Sequence, residues 1–172
     1  MADVPLIFVD ADVYMDVITR SEKPHPETRD PRWKMGLELF KAIHEGKARL
    51  AVSSLLEAEV LTNGKTRERR QRSAVVEDHL SRWFGDASVE WTDIDRYLVR
   101  QATRIAEELD GISRTQGQQC SAADRLHLAA AVRLGCGFLM TYDQGYPIGR
   151  KVRGISIMYP GVVWPEDLFS TS

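Results

Sequence analysis

Residues 6–15, LIFVDADVYM, decide how this chain is read. Four apolar residues run straight into two acids, Asp10 and Asp12, and an apolar pattern then resumes. A short, continuous apolar run describes a strand covered on both faces, here PLIFV at 5–9. DVYMDVITR (12–20) follows as a helix, with Val13, Val17 and Ile18 at helical spacing. The two carboxylates therefore stand where a buried strand gives way to a helix.

The same alternation continues along the chain. SEKPHPETRDP (21–31) has three prolines and reads as loop; PRWKMGLELFKAIHEG (31–46) reads as a helix with Pro in its first turn, Met35, Leu39 and Ile43 on one face, and Gly46 as its stop. ARLAVSS (48–54) is a second strand, and SLLEAEVLTNG (54–64) a helix closing at Asn63-Gly64. KTRERRQRSAVVEDHLSRWFG (65–85) is expected as one long charged helix, ASVEW (87–91) as a third strand, and TDIDRYLVRQATRIAEELDG (92–111) as a helix capped at Thr92 or Asp93. After a polar loop, SAADRLHLAAAVRLG (121–135) is an alanine-rich helix. GFLMTYD (137–143) and ISIMY (155–159) supply a fourth and fifth strand, and PGVVWPEDLF a closing loop with a short last turn. Strands alternating with helices predict an α/β fold: a three-layer α/β/α sandwich on a central, mostly parallel sheet of four to five strands, forming one domain over 1–172.

Composition narrows the class. The chain has 43% hydrophobic and 28% charged residues, those of an ordinary soluble globular protein, and no apolar run approaches the roughly 18 residues needed to span a bilayer. With two cysteines, Cys120 and Cys136, and no recognisable leader, the expected location is the cytoplasm, with no membrane partner. A net charge of −2 argues against a general nucleic-acid coat, but local charge matters more than the sum. KTRERRQR (65–72) and GRKVRG (149–154) are locally basic; each is either a solvated surface or a phosphate-contacting rim, with Arg67, Arg69, Arg70, Arg150 and Lys151 the candidate phosphate contacts.

Ligand sites of open α/β sheets lie beyond the carboxyl ends of the strands. There the first strand ends at Asp10 and the fourth at Asp143, and Asp124 stands in the first turn of the alanine-rich helix. Each has a plain structural reading. Asp10 suits a helix N-cap, Asp12 a favourable dipole position, Asp124 a capping box with Ser121, and Asp143 the start of a turn before Gly145. All of them at one sheet edge is harder to explain so, because clustered carboxylates repel. A hard divalent cation accounts for the gathering. Glu57 and Glu59 are two apart, about 200° around a helix, so only one faces the site. Ser54 to Glu57 reads as a capping box, which leaves Glu59 for the site. Asp12, Ser54 and Thr141 stand where they could support these acids, and the two hydroxyls equally suit backbone caps. His127, three after Asp124, could approach the pocket, though a helix-surface or partly buried place suits it better.

The set FVDAD, VSSLLEAEV, AADRLHLAAA and LMTYDQGY resembles the PIN domain, and in particular the VapC-type toxin ribonucleases; the resemblance runs over about residues 5–160. It implies an Mg²⁺- or Mn²⁺-dependent endoribonuclease cutting single-stranded RNA, the toxin of a type II toxin–antitoxin pair, homodimeric and silenced by a cognate antitoxin. It places the catalytic acids at Asp10, Glu59, Asp124 and Asp143, with Asp10, Asp124 and Asp143 on the metal. The chain departs from the family pattern in extra length around 20–32 and 62–84, and in Asp12, where the family often has Asn. Two other readings compete. DADVYM resembles the nucleophile motif of haloacid-dehalogenase-like phosphohydrolases, but Tyr14 stands where Thr or Val belongs, and no lysine lies between Lys65 and Lys151. The other is a catalytically inert PIN module that binds RNA or protein.

Overall fold

The computed structural model describes residues 4–112 and 119–162. Its elements run β1 (Leu6–Val9), α1 (Ala11–Thr19), α2 (Arg32–His44), β2 (Arg49–Ser53), α3 (Ser54–Thr62), α4 (Gly64–Arg72), α5 (Ala74–Gly85), β3 (Glu90–Thr92), α6 (Arg96–Asp110), α7 (Ala122–Leu134), β4 (Phe138–Met140), β5 (Lys151–Val152) and β6 (Ile155–Met158). The sheet order is β3-β2-β1-β4-β6-β5. Every pairing is parallel except β5 with β6. The α/β class and the mostly parallel sheet are as expected, with β5 as an additional edge strand. It forms a hairpin with β6 through Arg153 (φ 47°) and Gly154 (φ 81°), two left-handed residues in a row, as a tight primed turn requires.

Strand order reverses at the centre of the sheet. From β1 the chain crosses outward to β2 and β3, whereas from β4 it goes the other way to β6. Right-handed crossovers then put α1 and α2 on one face and α6 and α7 on the other. The cleft between β1 and β4, beyond their carboxyl ends, is the switch point at which such folds bind ligands. Both strands are apolar because both faces are covered: Ile7, Phe8, Val9, Leu139 and Met140 have no exposed surface. On the α1 side the chains approach closely. A Cβ at Gly36 of α2 would sit 2.6 Å from Val17 Cγ2, so any larger residue at that crossing must push the Val17 side chain aside.

Tyr14 anchors the α1 face, packed against Phe40, Trp83 and Phe84 with ring centroids 4.8, 5.2 and 5.5 Å away. Its hydroxyl is buried and has no hydrogen-bond partner. A buried hydroxyl without a partner costs stability, so Tyr14→Phe should gain about 1 kcal/mol in urea unfolding. A loss of stability would mean that the hydroxyl has a partner after all.

Four local expectations are corrected. The 65–85 helix is two helices, broken at Ser73, which is extended (φ −142°, ψ 112°). α4 buries only Thr66, whereas α5 buries Val76, Leu80, Trp83 and Phe84. A straight continuation could not lay that apolar face on the core, and the chain turns at a residue type that favours caps. The helix after β3 starts later than expected. Thr92 belongs to the strand, and Asp95 caps α6 by accepting from the Leu98 N–H at 2.8 Å. Arg133 of α7 forks onto the same carboxylate at 2.8 and 2.9 Å, holding its pKa down at about 2. Third, Ser53, not Ser54, caps α3, accepting from the Leu56 N–H, so Glu57 has no capping-box task. Pro31 likewise precedes α2 as its cap residue. The loop at 113–118 and the closing segment from 163 lie outside the described residues.

Candidate metal-acid site

Asp10 leaves the end of β1 buried, 7% exposed. One carboxylate oxygen caps α1 by accepting from the Ala11 N–H at 2.8 Å; the other accepts from the Thr141 hydroxyl, at the end of β4, at 2.8 Å. That hydroxyl oxygen also accepts the Asp143 N–H at 2.9 Å, tying the loop after β4 to the acid at the end of β1. Asp12, in the first turn of α1, accepts from the Tyr142 N–H at 3.0 Å, while its second oxygen is buried with no partner among the described residues.

Asp124 faces the same space from the other side of the sheet. It forms a reciprocal capping box with Ser121, with bonds of 2.7 and 3.1 Å. Burial holds the Asp10 pKa above the usual carboxylate range; neighbouring Asp124 pushes the same way, and His127 opposes them. Burial and then Asp10 push Asp12 up to about 8. Tyr146, wholly buried beneath the acids, is raised well above its ordinary value by burial and by Asp10, Asp124 and Asp12.

The other predicted residues divide. Glu59 of α3 reaches the site through His127, with His127 Nε2 2.8 Å from Glu59 Oε2. Thr141 is at the centre. Asp143 is exposed and accepts from the Gly145 N–H at 2.7 Å, as an Asx turn does. Ser54 is not part of the site: its hydroxyl accepts the Ile94 N–H at 3.2 Å, pinning α3 to the loop after β3. Of the basic candidates, Arg70 is committed to Glu77, while Arg67 and Arg69 are exposed on α4. Arg150 and Lys151 lie at the β5 edge, two strands beyond β4.

Sequence reasoning set His127 aside and passed over Asp16. His127 is buried, with its ring centroid 5.6 Å from that of Phe8. A signal was present, since a residue three after Asp124 shares its helix face. Asp16, four after Asp12, likewise shares a face with it. Its pKa is raised by burial, and one oxygen is buried without a partner. Asp12 and Asp16 line a cleft of about 620 Å³, a size common for ligand sites.

Among the described residues, no three His, Cys, Asp or Glu side chains converge tightly enough to enclose a metal. Asp10, Asp124 and Asp143 each give one oxygen to a nearby main-chain N–H. The donor set nevertheless suits a hard cation. It is carboxylate oxygen, crowded in a low-dielectric cleft, with an orphaned oxygen on Asp12.

A PIN domain model matches residues 7–148. The chain belongs to the PIN domain family. Similar solved structures include VapBC2 of Rickettsia felis bound to a DNA fragment from their promoter (11% identity, TM-score 0.55, covering 90% of this chain and 98% of that one). FitAcB of Neisseria gonorrhoeae is similar at 15% identity and TM-score 0.54, covering 90% of this chain and 97% of that one. So is VapC20 of Mycobacterium tuberculosis, a sarcin–ricin-loop-cleaving toxin (17% identity, TM-score 0.50, covering 80% and 89%). At these identities the likeness is one of fold. No curated protein matches the chain. No helix among the described residues is long and apolar enough to cross a membrane.

Proposed function

We propose that this PIN domain is a metal-dependent endoribonuclease that cuts single-stranded RNA and serves as the toxin of an antitoxin-controlled pair. PIN domains are typically nucleases that use a divalent metal, and the fold neighbours belong to toxin–antitoxin systems. The observation that carries the reading is the burial of Asp10, Asp12 and Asp124 at the β1–β4 switch, where Asp10 feels the charge of Asp124 and Asp12 that of Asp10, with an unpartnered carboxylate oxygen on Asp12.

In this reading Asp10 and Asp124 hold Mg²⁺ or Mn²⁺, joined by Asp143 from the loop edge and supported by Asp12 and Thr141. Bound there, the ion supplies charge to polarise the phosphodiester and to make the attacking water more acidic. Asp10 and Thr141 sit on strand ends and keep the site rigid. Glu59 receives the proton of the attacking water, and His127 fixes Glu59 in place. Arg67 and Arg69 of α4, with Arg150 and Lys151, supply charge for the RNA backbone, whereas Arg70 is held by Glu77. A cognate antitoxin and a second copy of the chain are the proposed protein partners.

The test is cleavage of a single-stranded RNA with Mn²⁺ or Mg²⁺, against excess EDTA. Cutting that persists in EDTA would overturn the metal assignment, and an intact RNA in every metal condition would leave only an inert binder. His127→Gln should lower kcat about 10- to 100-fold with little change in KM, the usual cost of losing a residue that positions a metal-site group. An unchanged kcat would remove His127 from the mechanism.

A further inference from the structure

Residues 21–33 are not a loose loop. The strap is laddered to itself: Trp33 N–H donates to Ser21 O at 3.3 Å, Arg32 N–H to Lys23 O at 2.9 Å, and His25 N–H to Asp30 O at 2.7 Å. His25 is buried. Its Nδ1 accepts the Glu27 and Thr28 N–H groups, so its Nε2 donates to Pro160 O, at 2.8 Å. That bond moors the strap to the chain just beyond β6. Its ring also lies edge-on to Tyr142, centroids 5.6 Å apart.

The ladder sets Lys23 and Arg32 side by side at the mouth of the Asp12–Asp16 cleft, with Lys65 of α4 also lining it. The Arg32 guanidinium stacks 4.0 Å from the Tyr142 ring centroid, and Nε donates to Pro24 O at 3.4 Å. Tyr142 is the residue whose N–H holds Asp12. Arg32 is thus fixed by a ring that belongs to the acid site, and among the described residues its two terminal nitrogens make no hydrogen bond. Several other surface cations are committed: Arg70 to Glu77, Arg72 to Glu68 and Arg153 to Glu108. Among the described residues Lys23, Arg32 and Lys65 close no such pair. Lys23 and Arg32 lie near enough to Asp16 to oppose the rise of its pKa but close no ion pair with it, and such preorganised cations at the rim of a polar cleft suit an oxyanion of a polyanionic strand.

Resting on the nuclease reading above, we propose that the strap is a phosphate clamp. Lys23 and Arg32 grip an RNA backbone phosphate next to the one being cut, and so set where the strand lies relative to Asp10. An arginine here offers a flat fork to a phosphate while its face stays on Tyr142, which lysine cannot do.

The clamp is tested by fluorescence anisotropy of a labelled single-stranded RNA of about twelve nucleotides, within the span such grooves cover, titrated with the full chain in excess EDTA. Arg32→Gln should weaken binding about tenfold and lower the slope of log K against log salt by about 0.7, the loss of one phosphate contact on a single strand. Lys23→Gln should lower the slope by a similar amount. Arg32→Lys should keep the slope and still bind more weakly, and Arg153→Gln, remote and already paired, should change neither. Melting temperatures establish that each variant is folded. Wild-type affinity and slope in folded Arg32→Gln and Lys23→Gln would overturn the clamp, as would no RNA binding by the wild type or preference for an acidic peptide. Cleavage by the same preparations with Mn²⁺ separates the two ideas. Cutting with an unchanged slope sinks the clamp and spares the nuclease, and a lowered slope without cutting does the reverse.

Discussion

Asp10→Asn is expected to abolish metal-dependent RNA cleavage, by about a thousandfold or more as for loss of a central catalytic group, while the chain melts at or above the wild-type temperature at pH 8. The two halves of that result come from different atoms. As ligand, Asp10 offers a full negative charge to a cation, and an amide offers only a weak dipole. As cap, Asp10 needs only an oxygen that accepts the Ala11 N–H, and Asn provides one equally well. The Thr141 hydroxyl can turn to accept from the new amide nitrogen instead of donating to a carboxylate. The substitution also removes an anion that burial and Asp124 already disfavour. Asp10→Ala, by contrast, loses the cap and should cost about 1 kcal/mol of stability. Urea unfolding and a cleavage assay on both variants separate the roles. Substantial cutting by Asp10→Asn would show that Asp10 is a cap and nothing more.

The fold was legible wherever a pattern had one solution. LIFV followed by helical spacing in residues 12–20 left little choice but a buried strand feeding a helix, and β1 and α1 stand within a residue of that reading. Legibility failed where a local signal was outvoted by packing. The 65–85 run has unbroken helical composition, and only the need to bury Trp83 and Phe84 dictates a turn at Ser73. Ser53 and Ser54 are equivalent as sequence. The strand's register against β3 decides between them, because it places Ser54 within reach of the Ile94 N–H. β5 is two residues long, below what a periodic signal can show.

At the site the acids could be found because the sheet rule brings strand ends together whatever the loops do. Their partners could not. Glu59 and His127 meet across 68 positions of sequence, and nothing local to either predicts the bond. The strap is the extreme case. As sequence it is proline-rich loop; its order comes from His25 reaching Pro160, a contact 135 residues away.

Stability against pH should show the crowding of the acids directly. Burial and then neighbouring Asp10 push the Asp12 carboxyl of the metal-free folded chain up to about 8 from an ordinary value of 3.8, and Asp10 and Asp16 are raised in the same direction. Between those two pH values the folded chain keeps protons that the unfolded chain releases. For raised acids the linkage therefore runs downward: stability is greatest below about pH 4 and falls as pH rises toward 8. Asp95, lowered to about 2, acts oppositely but only below pH 4, outside this window. The melting temperature should thus drop between about pH 5 and pH 8, and Asp12→Asn should flatten much of the drop. Mn²⁺ should reverse it. A cation competes with the proton for the same oxygens, so its effect belongs at pH 8 and fades by pH 5. At a hundred times its dissociation constant it should add about 2.7 kcal/mol, or about 5–10 °C for a chain of this size. A calorimetric pH series with and without Mn²⁺ reads both effects. A flat profile with no metal-linked shift would mean that these carboxylates are held by their own amides and ask for nothing more.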